Sequence, residues 1–357
     1  MLSMRKGFRW SALRGGDVSG TGPMRVTRQD VARAAGVSTA VVSYVLNDGP
    51  RPVSEAARAR VLAAIQELNY GPDGVARALQ ARRTWTIGLV IPDNCNPFFA
   101  QLATAIEDQA FRAGYVLLVG NSTDDPERER QYLKTLHERR IDALLLVSVR
   151  AAEELTSDVD TSRPVLMLDR RITGASFSSV VIDNEGAARA GTEHLMSHGH
   201  RKIAFIAGPE AVAVAAERKR GWRGVMRDVG QSCPPRWVHH APFTRGGGYE
   251  ALGELMLQRD RPTAVLVSSD TQAIGALHAA WEAGIRVPED LAVVSIDGID
   301  EARFSIPTLT TIAQPVHRIA RSAIELVVHA IEAGEDGTQV NEVVPFELTL
   351  GESCGCH

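Results

Sequence analysis

The chain has 357 residues, of which 44% are hydrophobic and 23% are charged, and its formal net charge is −4. This composition is typical of a globular protein of two or three domains, and the absence of a long apolar run argues against a membrane span. Four cysteines are too few for a disulfide framework, so we expect a reducing, cytoplasmic location and no membrane partner.

The charge is unevenly distributed along the chain. Residues 1–83 contain 13 Lys or Arg and 6 Asp or Glu, whereas the remainder is acidic. A basic end on an acidic body indicates a nucleic-acid-binding module. Residues 1–23 are basic and Gly/Ser-rich and lack the apolar segment of a signal peptide, so we predict a disordered tail, with Met24 as an alternative start.

The stretch VTRQDVARAAGVSTAVVSYVLN (26–47) predicts two short helices joined by a tight turn. Thr27 and Asp30 fit a capping box, Gly36 suits a helix end, and Ser38 or Thr39 suits the start of the second helix. The pattern indicates a helix-turn-helix whose second helix enters the DNA major groove. The alternative is a helical hairpin inside a larger α domain.

A third amphipathic helix follows, from Ser54 to about Leu68, and completes a small all-α headpiece over residues 24–70. Residues 71–83 (GPDGVARALQARR) then form a hinge segment whose short helix is marginal on its own.

From Thr84 onward, short apolar runs alternate with amphipathic helices. Nine runs, from TIGLVIP to LTTIAQ, are typical of buried parallel strands. They predict an α/β fold with right-handed crossovers, and nine strands are enough for two lobes. A ligand would then bind between the lobes, at the carboxyl ends of the strands.

The chain contains no GxGxxG after a strand, no GxSxG and no Walker loop, so we expect no catalytic residues and no cofactor. His194, His198 and His200 surround a predicted helix end, where cations are favourable. Cys354 and Cys356 lie on what we expect to be a mobile end. We therefore predict no metal site.

Polar and aromatic residues follow several predicted strands, where they can converge on one ligand. Each residue alone has an ordinary structural alternative, such as a helix cap or a core ring, but the joint placement indicates a binding site. The set comprises Asn96, Phe98, Phe99, Asp169, Arg170, Arg218, Phe243, Ser269, Asp297 and Gln314.

The segments VTRQDVARAAGVSTAVVSYVLN, SEAARARVLAAIQELNY and ARAL resemble the headpiece and hinge of the lactose-repressor (LacI/GalR) family of bacterial transcription regulators, and the resemblance covers about residues 25–353. It implies a two-lobed effector domain over residues 84–353, similar to type I periplasmic sugar-binding proteins. Lobe 1 would cover about 86–181 and 315–340, lobe 2 about 183–312 and 341–351, with three crossings between them and residues 354–357 as a tail.

The resemblance also implies DNA contacts in the headpiece and hinge. Thr39 and Ala40 would read bases, and Leu79 of a hinge helix at about Asp73–Gln80 would wedge into the minor groove. Tyr44 stands where the family usually has Arg, which puts one base preference in doubt. The full set is Thr27, Ser38, Thr39, Ala40, Ser43, Tyr44, Asn47, Arg77 and Leu79.

For the effector, the resemblance implies a ribose-like pocket. Phe98, Phe99 and Phe243 would stack on a sugar ring, and the Asp, Arg and Gln side chains would bind its hydroxyls. Ser269 departs from the Asn of ribose binders and leaves room for a larger ring. Two Asp and two Arg balance in charge, which favours a neutral sugar over a phosphate.

These features predict a homodimeric repressor that binds a palindromic operator and is released by a sugar-like effector. In the cell such a protein would be nucleoid-associated when bound to DNA. Three alternatives stay open: an effector that acts as a co-repressor, a sugar-transport binding protein, and a sugar-processing enzyme that uses Asp169 and Asp297.

Overall fold

In the computed structural model the chain divides into two compact units, Met1–Gln80 and Ala81–His357. The structure describes residues 26–47, 51–70, 83–148, 150, 152–171, 174, 177–334 and 339–356. The predicted tail (1–23) and most of the predicted hinge, with Arg77 and Leu79, lie outside the described residues, as does the side chain of Asn47.

The first unit contains three short helices, α1 (Arg28–Ala35), α2 (Thr39–Asn47) and α3 (Glu55–Glu67). The Thr27 side chain accepts a hydrogen bond from the backbone of Asp30 and the Asp30 carboxylate accepts one from the backbone of Thr27, so the predicted capping box is present. Gly36 ends α1 in the left-handed region, with φ 63°. Because α1 ends at this glycine, only three residues separate it from α2.

Small and β-branched side chains from all three helices form the core of this unit, and Val31, Val42 and Val61 are fully buried. Two positions differ from the periodicity in the sequence. The apolar spacing predicts that Ala34 of α1 and Leu62 of α3 face the core. Instead Ala32 is buried and Ala34 is exposed, and Leu62 is 48% exposed while Ala64 is buried. In helices this short, a small rotation about the helix axis is enough to bring a neighbouring side chain into the core.

Lobe 1 of the second unit is built on a parallel sheet with the order β11-β5-β4-β3-β1-β2. Alternate residues of β1 point to different cores: Leu89 and Ile91 face α4 and α11, and Val90 faces α5. The elements are β1 (Thr86–Ile91), α4 (Pro97–Arg112), β2 (Val116–Asn121), α5 (Pro126–Glu138), β3 (Ala143–Leu146), α6 (Ala152–Asp158), β4 (Val165–Leu168), β5 (Ser178–Val181), α11 (Val316–Ala333) and β11 (Asn341–Val343).

Lobe 2 has the sheet order β12-β10-β9-β8-β6-β7, parallel except for β12, which runs antiparallel to β10. Helices α7 and α8 pack together, as do α9 and α10, and the two pairs cover the sheet. The elements are α7 (Asn184–Ser197), β6 (Ile203–Ala207), α8 (Ala213–Asp228), β7 (Val238–His240), α9 (Arg245–Met256), β8 (Ala264–Val267), α10 (Asp270–Glu282), β9 (Ala292–Asp297), β10 (Thr310–Ala313) and β12 (Glu347–Thr349).

The chain crosses between the lobes after β5, after β10 and between β11 and β12. The predicted fold class, a helix-turn-helix headpiece followed by a two-sheet parallel α/β domain, is confirmed. No helix in the described part of the chain has both the length and the apolar character that a membrane span needs.

Several predicted details need correction. The sequence did not predict strands β7, β11 and β12, because each has three residues, lies at a sheet edge and contains no buried side chain. Strand β11 pairs with β5 in lobe 1, so residues 341–343 belong to lobe 1 and not to lobe 2. The apolar strand β2 is an exposed edge rather than a buried strand.

The chain end also differs from the predicted tail. Residues Glu352–Cys354 form a 3-10 helix against the start of β10. The Ser353 hydroxyl donates to the Val293 carbonyl at 2.7 Å and accepts from the Thr310 amide at 2.9 Å. Cys354 is consequently buried, because two neighbouring strands hold the backbone beside it.

Candidate functional site

In the headpiece, the residues predicted to contact DNA lie at the start of α2 and before α1. Ser38, Thr39 and Ala40 are exposed, and Ser43 and Tyr44 are half-buried. The Ser38 hydroxyl accepts from the Val41 amide at 3.4 Å, which fixes the first turn of α2. The exposed end of α2 is thus presented by a rigid turn.

Thr27 contributes to this rigidity. Its hydroxyl donates to Asp30 Oδ2 at 2.6 Å, and its amide donates to the same oxygen at 2.9 Å. The Thr27 hydroxyl, followed by its amide, holds the pKa of Asp30 below its ordinary value, so Asp30 remains charged at the start of α1. A DNA contact by Thr27 would therefore be made by a residue that already caps a helix.

In the second unit, all ten predicted effector residues lie at or after the carboxyl ends of strands or at the starts of the following helices. Five residues come from lobe 1 and five from lobe 2. Nine of them are buried and Phe243 is half-buried. Each sheet thus holds its five residues near the carboxyl ends of its strands, and their convergence on one ligand stays a prediction.

The aromatic pair of lobe 1 begins α4. Asn96 caps that helix by accepting from the Phe98 amide at 3.0 Å. The rings of Phe98 and Phe99 meet edge-on, with centroids 5.1 Å apart. Both rings also belong to the lobe 1 core and are only 4% and 7% exposed, so packing is the role that the structure shows for them.

Asp169 and Arg170 follow β4. Asp169 adopts φ 61°, a left-handed conformation that non-glycine residues rarely take and that strained functional sites often contain. Arg170 Nε lies 3.2 Å from Asp169 Oδ2. Neither Nε nor Nη1 of this buried guanidinium has an aligned hydrogen-bond acceptor among the described residues. Because this guanidinium is already buried and has nitrogens without an acceptor, it can donate hydrogen bonds to a polar ligand at little further desolvation cost.

In lobe 2, Arg218 of α8 faces Asp297 at the end of β9. Arg218 Nη1 lies 3.5 Å from Asp297 Oδ1 and also donates to the Ser268 carbonyl. Gln314 Nε2 donates to the same Asp297 oxygen at 3.0 Å. These contacts join three of the predicted residues in one buried network.

The electrostatic balance at Asp297 is unusual for a carboxyl group. Burial raises the pKa of Asp297 to about 7, and the charges of Asp270 and Asp169 add to this rise, whereas Arg218 and Gln314 oppose it. Asp169 belongs to lobe 1, so its charge acts on Asp297 from the other lobe. Asp297 also adopts φ 137°, a second strained backbone at this edge.

Ser269 and Phe243 have local structural roles in addition to the predicted ones. The Ser269 hydroxyl caps α10 by accepting from the Gln272 amide at 3.2 Å. The Phe243 ring lies directly over Gly208, where an added Cβ would be 2.1 Å from the ring tip. Gly208 thus sets how closely the ring approaches β6.

Two residues near the set were not predicted. Asn184 Oδ1 accepts from Arg218 Nε at 2.9 Å and orients the guanidinium. Asp270 is fully buried and accepts four hydrogen bonds, from Ser295, Thr311 and the backbone amides of residues 298 and 299. Burial raises the pKa of Asp270 while those bonds lower it, and the saturated carboxylate fixes the end of β9.

A second buried charge cluster follows β3 in lobe 1. Arg150 donates to Asp158 Oδ2 at 2.5 Å and its Nη1 lies 3.6 Å from Glu129 Oε1. Burial raises the pKa of Glu129, although Ser148 and Arg150 oppose it. The sequence signal for this cluster was weak, because Arg150 lies in a loop and its partners belong to two different helices.

Two family models match the chain. The model described as bacterial regulatory proteins, lacI family, matches residues 27–73, and the model described as periplasmic binding protein-like domain matches residues 192–354. The first range contains the three helices of the headpiece, and the second contains most of lobe 2.

Full-length relatives match over nearly their entire length. The HTH-type transcriptional repressor PurR of Klebsiella pneumoniae (strain 342) is 36% identical over 323 residues, which are 89% of this chain and 94% of the relative. The repressor of the same name from Salmonella arizonae is 38% identical over the same shares. Both of these relatives are named as transcriptional repressors.

Solved structures show the same fold. The Lac repressor dimer bound to operator and the anti-inducer ONPF has a TM-score of 0.83 and 28% identity, covering 92% of this chain and 99% of that one. The complex of the transcriptional regulator CelR with cellobiose has a TM-score of 0.70 and 31% identity, covering 92% and 100%. The chain belongs to the lacI family of bacterial regulatory proteins and is a DNA-binding transcription regulator with a periplasmic-binding-protein-like ligand domain.

Proposed function

We propose that the chain is a homodimeric repressor that binds a near-palindromic operator and is released when a small neutral sugar binds in the cleft between its lobes. The observation that carries the effector proposal is the presence in each lobe of a buried Asp–Arg pair, Asp169 with Arg170 and Arg218 with Asp297.

For DNA, the proposal rests on the exposed start of α2. Thr39 offers a hydroxyl and a methyl group to base edges, and Ala40 offers a methyl group that fits a thymine. Thr27, Ser38, Ser43, Tyr44 and Asn47 would contact phosphates or flanking bases. Arg77 and Leu79 would act in the minor groove, and the similar Lac repressor is described as a dimer bound to operator.

For the dimer, the proposal rests on an apolar surface of lobe 1. Phe111, Val116 and Val119 are 78%, 64% and 50% exposed and lie at the end of α4 and on the edge strand β2. Large exposed apolar groups gathered in one region are typical of an interface. A second copy of the chain would cover them and would place two headpieces on a two-fold DNA site.

For the effector, hydroxyl groups suit the cleft because each one both donates and accepts. Asp169 and Asp297 would accept from hydroxyls, and the unsatisfied nitrogens of Arg170 would donate to them. When Asp297 is ionised, above about pH 7, the two positive and two negative side chains balance in charge, which favours a neutral ligand over an anion. The remaining predicted contacts are Asn96, Phe98, Phe99, Phe243, Ser269 and Gln314.

The similar CelR structure contains cellobiose, which supports a sugar here. A sugar in this cleft would touch both lobes, and it would change their relative position if it bound one arrangement more tightly. The coupling is reciprocal, so operator must weaken sugar binding by the same factor by which sugar weakens operator binding.

The two remaining alternatives fit the structure less well. A transport protein has no use for a helix-turn-helix headpiece. An enzyme needs a carboxylate free to act on its substrate, whereas Asp169 and Asp297 are each paired with an Arg. A DNA-bound regulator would act in the cytoplasm, on the nucleoid.

The proposal is tested in two steps on the purified full-length chain. Selection from a random duplex pool should yield a near-palindrome with a flexible pyrimidine–purine step at its centre. A panel of neutral mono- and disaccharides is then titrated into the complex, and one of them should release the DNA. Arg170→Gln should abolish the response and keep DNA binding, whereas Arg171→Gln, which changes the exposed neighbour, should keep both.

Different outcomes would contradict the DNA-binding, release and effector-site parts of the proposal. An absence of any enriched duplex contradicts the DNA proposal. A sugar that tightens the complex contradicts release and supports a co-repressor. A sugar response that is equal in Arg170→Gln and in the Arg171→Gln control contradicts the proposed cleft.

A further inference from the structure

Two histidines and two cysteines meet at the edge of lobe 2 opposite the candidate effector site. His194 and His198 are one helical turn apart at the end of α7. Cys354 and Cys356 lie in the chain end, where the 3-10 helix stops at Gly355 with φ 91°. That left-handed glycine turns the chain so that both thiols face the two imidazoles.

The ligand atoms of these four side chains lie within 4.8 Å of one another. His194 Nε2 is 3.2 Å from Cys354 Sγ and 3.7 Å from Cys356 Sγ, and His198 Nε2 is 3.3 Å from Cys356 Sγ. A tetrahedral zinc ion, about 2.0–2.1 Å from nitrogen and about 2.3 Å from sulfur, separates its ligand atoms by roughly 3.3–3.8 Å. All three are nitrogen–sulfur distances, and each lies within about 0.3 Å of the corresponding edge of that tetrahedron, which is roughly 3.5 Å.

We propose that His194, His198, Cys354 and Cys356 bind one Zn²⁺ ion as a closed Cys2His2 site. Mixed imidazole and thiolate ligands in a tetrahedron suit zinc, and four protein ligands leave no open position, which is the arrangement of structural rather than catalytic zinc. The sequence prediction of no metal relied on a mobile chain end, and the structure does not have one there.

The surrounding hydrogen bonds hold the ligands in place before an ion arrives. The Thr310 hydroxyl donates to Cys354 Sγ at 3.0 Å, and Ser353 is anchored to Val293 and Thr310. Such partners of the ligands orient them and raise metal affinity. Because α7, β9 and β10 all contribute, the ion would fasten the last residues of the chain to the lobe that carries Asp297 and Gln314.

The cluster differs from the other cysteines of the described chain. Cys95 is exposed and Cys233 is half-buried, and neither belongs to a group of three or more potential ligands. Cys233→Ser is therefore a matched control that removes one lobe 2 thiol outside the cluster.

The first test is metal content of the full-length chain, purified under reducing conditions in the presence of zinc sulfate and then desalted. Elemental analysis should find one zinc per chain in the wild type and in Cys233→Ser. His198→Ala and Cys356→Ser change an exposed and a half-buried residue, so both should fold and should lose the bound zinc. Equal zinc in all four proteins, or no zinc in the wild type, would overturn the proposal.

The second test is cobalt(II) substitution, which reports geometry and ligand type. The wild type should show the intense visible bands of tetrahedral cobalt and a thiolate charge-transfer band. Cys356→Ser should bind cobalt at least about 100-fold more weakly, because losing a ligand costs more affinity than losing a residue that hydrogen-bonds to a ligand. A weak octahedral spectrum, or a Cys354–Cys356 disulfide found by mass spectrometry in place of metal, would contradict the site.

Discussion

Arg218 Nη1 lies 3.5 Å from Asp297 Oδ1, and both side chains are buried. The pair joins α8 to the end of β9, and Asn184, the Ser268 carbonyl and Gln314 complete its hydrogen bonds. A buried ion pair requires such partners because the desolvation of its charges otherwise exceeds their attraction. The binding edge of lobe 2 therefore depends on one connected network.

Removal of one partner from this pair should destabilise lobe 2 strongly. At pH 8, Arg218→Met should lower the free energy of unfolding by about 3–5 kcal/mol, because Asp297 is left buried without its cation. Adding Asp297→Asn should restore part of that loss. Urea unfolding of the wild type, both single variants and the double variant measures the coupling, and strictly additive losses would contradict a direct interaction.

The raised pKa of Asp297 predicts how stability depends on pH. The folded protein keeps the proton up to about pH 7, whereas the unfolded chain releases it near the ordinary value of 3.8. The stabilising contribution of the protonated group is therefore complete below about pH 4 and is lost as the pH rises to about 7. Compared with Asp297→Asn, the wild type should lose about 1.4 kcal/mol of unfolding free energy per pH unit between pH 5 and 6.5. A constant difference between the two proteins would show that Asp297 is ionised throughout.

The fold was largely predictable because its signals are local. Capping residues and Gly36 mark the short helices of the headpiece, and runs such as Ala264–Val267, buried on both faces of the sheet, have no polar residue to obscure them. The short edge strands were not predictable, because Asn341–Val343 differs from a loop only through its pairing with β5.

The candidate effector residues could be predicted from the sequence, but their hydrogen-bond partners could not. Positions after strands are visible in the sequence, whereas the contact between Arg218 and Asn184 joins residues 34 apart in the chain. The His and Cys cluster shows the same limit at a greater separation. His194 and Cys354 are 160 residues apart, and only the three-dimensional structure brings them within 3.2 Å.

The contact between Gly208 and Phe243 predicts a selective loss of effector binding. Gly208→Ala places a methyl group against the Phe243 ring and should push the ring into the cleft, so that sugar affinity falls at least tenfold while DNA binding is kept. Gly253→Ala is the control, because no atom lies near the added Cβ and alanine favours the α9 helix by about 1 kcal/mol. Isothermal titration calorimetry with the sugar that releases operator measures the sugar affinity of each variant. Equal affinities in the two variants would show that Phe243 does not contact the effector.

The exposed apolar surface of lobe 1 predicts where a dimer can be broken. Val116→Glu places a charge on the edge strand β2 and should convert the dimer to a monomer, because burial of an unpaired carboxylate opposes association. Phe304→Glu, which changes a ring of lobe 2 that is 82% exposed, should leave the dimer intact. Sedimentation velocity distinguishes the two outcomes. Loss of the dimer in Phe304→Glu alone would move the interface to lobe 2.

Tyr44 predicts an altered base preference within an otherwise ordinary headpiece. Tyr44 is a half-buried residue of α2, four positions after the exposed Ala40 and thus on the same helical face. Arg at this position can form two hydrogen bonds to guanine, whereas the single Tyr hydroxyl cannot. Tyr44→Arg should therefore shift the duplexes selected from a random pool toward guanine at one position of each half-site, by about 1–3 kcal/mol of discrimination. Tyr44→Phe serves as the control and should retain the wild-type preference if the hydroxyl contacts only phosphate. An unchanged site in Tyr44→Arg would mean that position 44 faces the DNA backbone, where contacts position the protein and read no sequence.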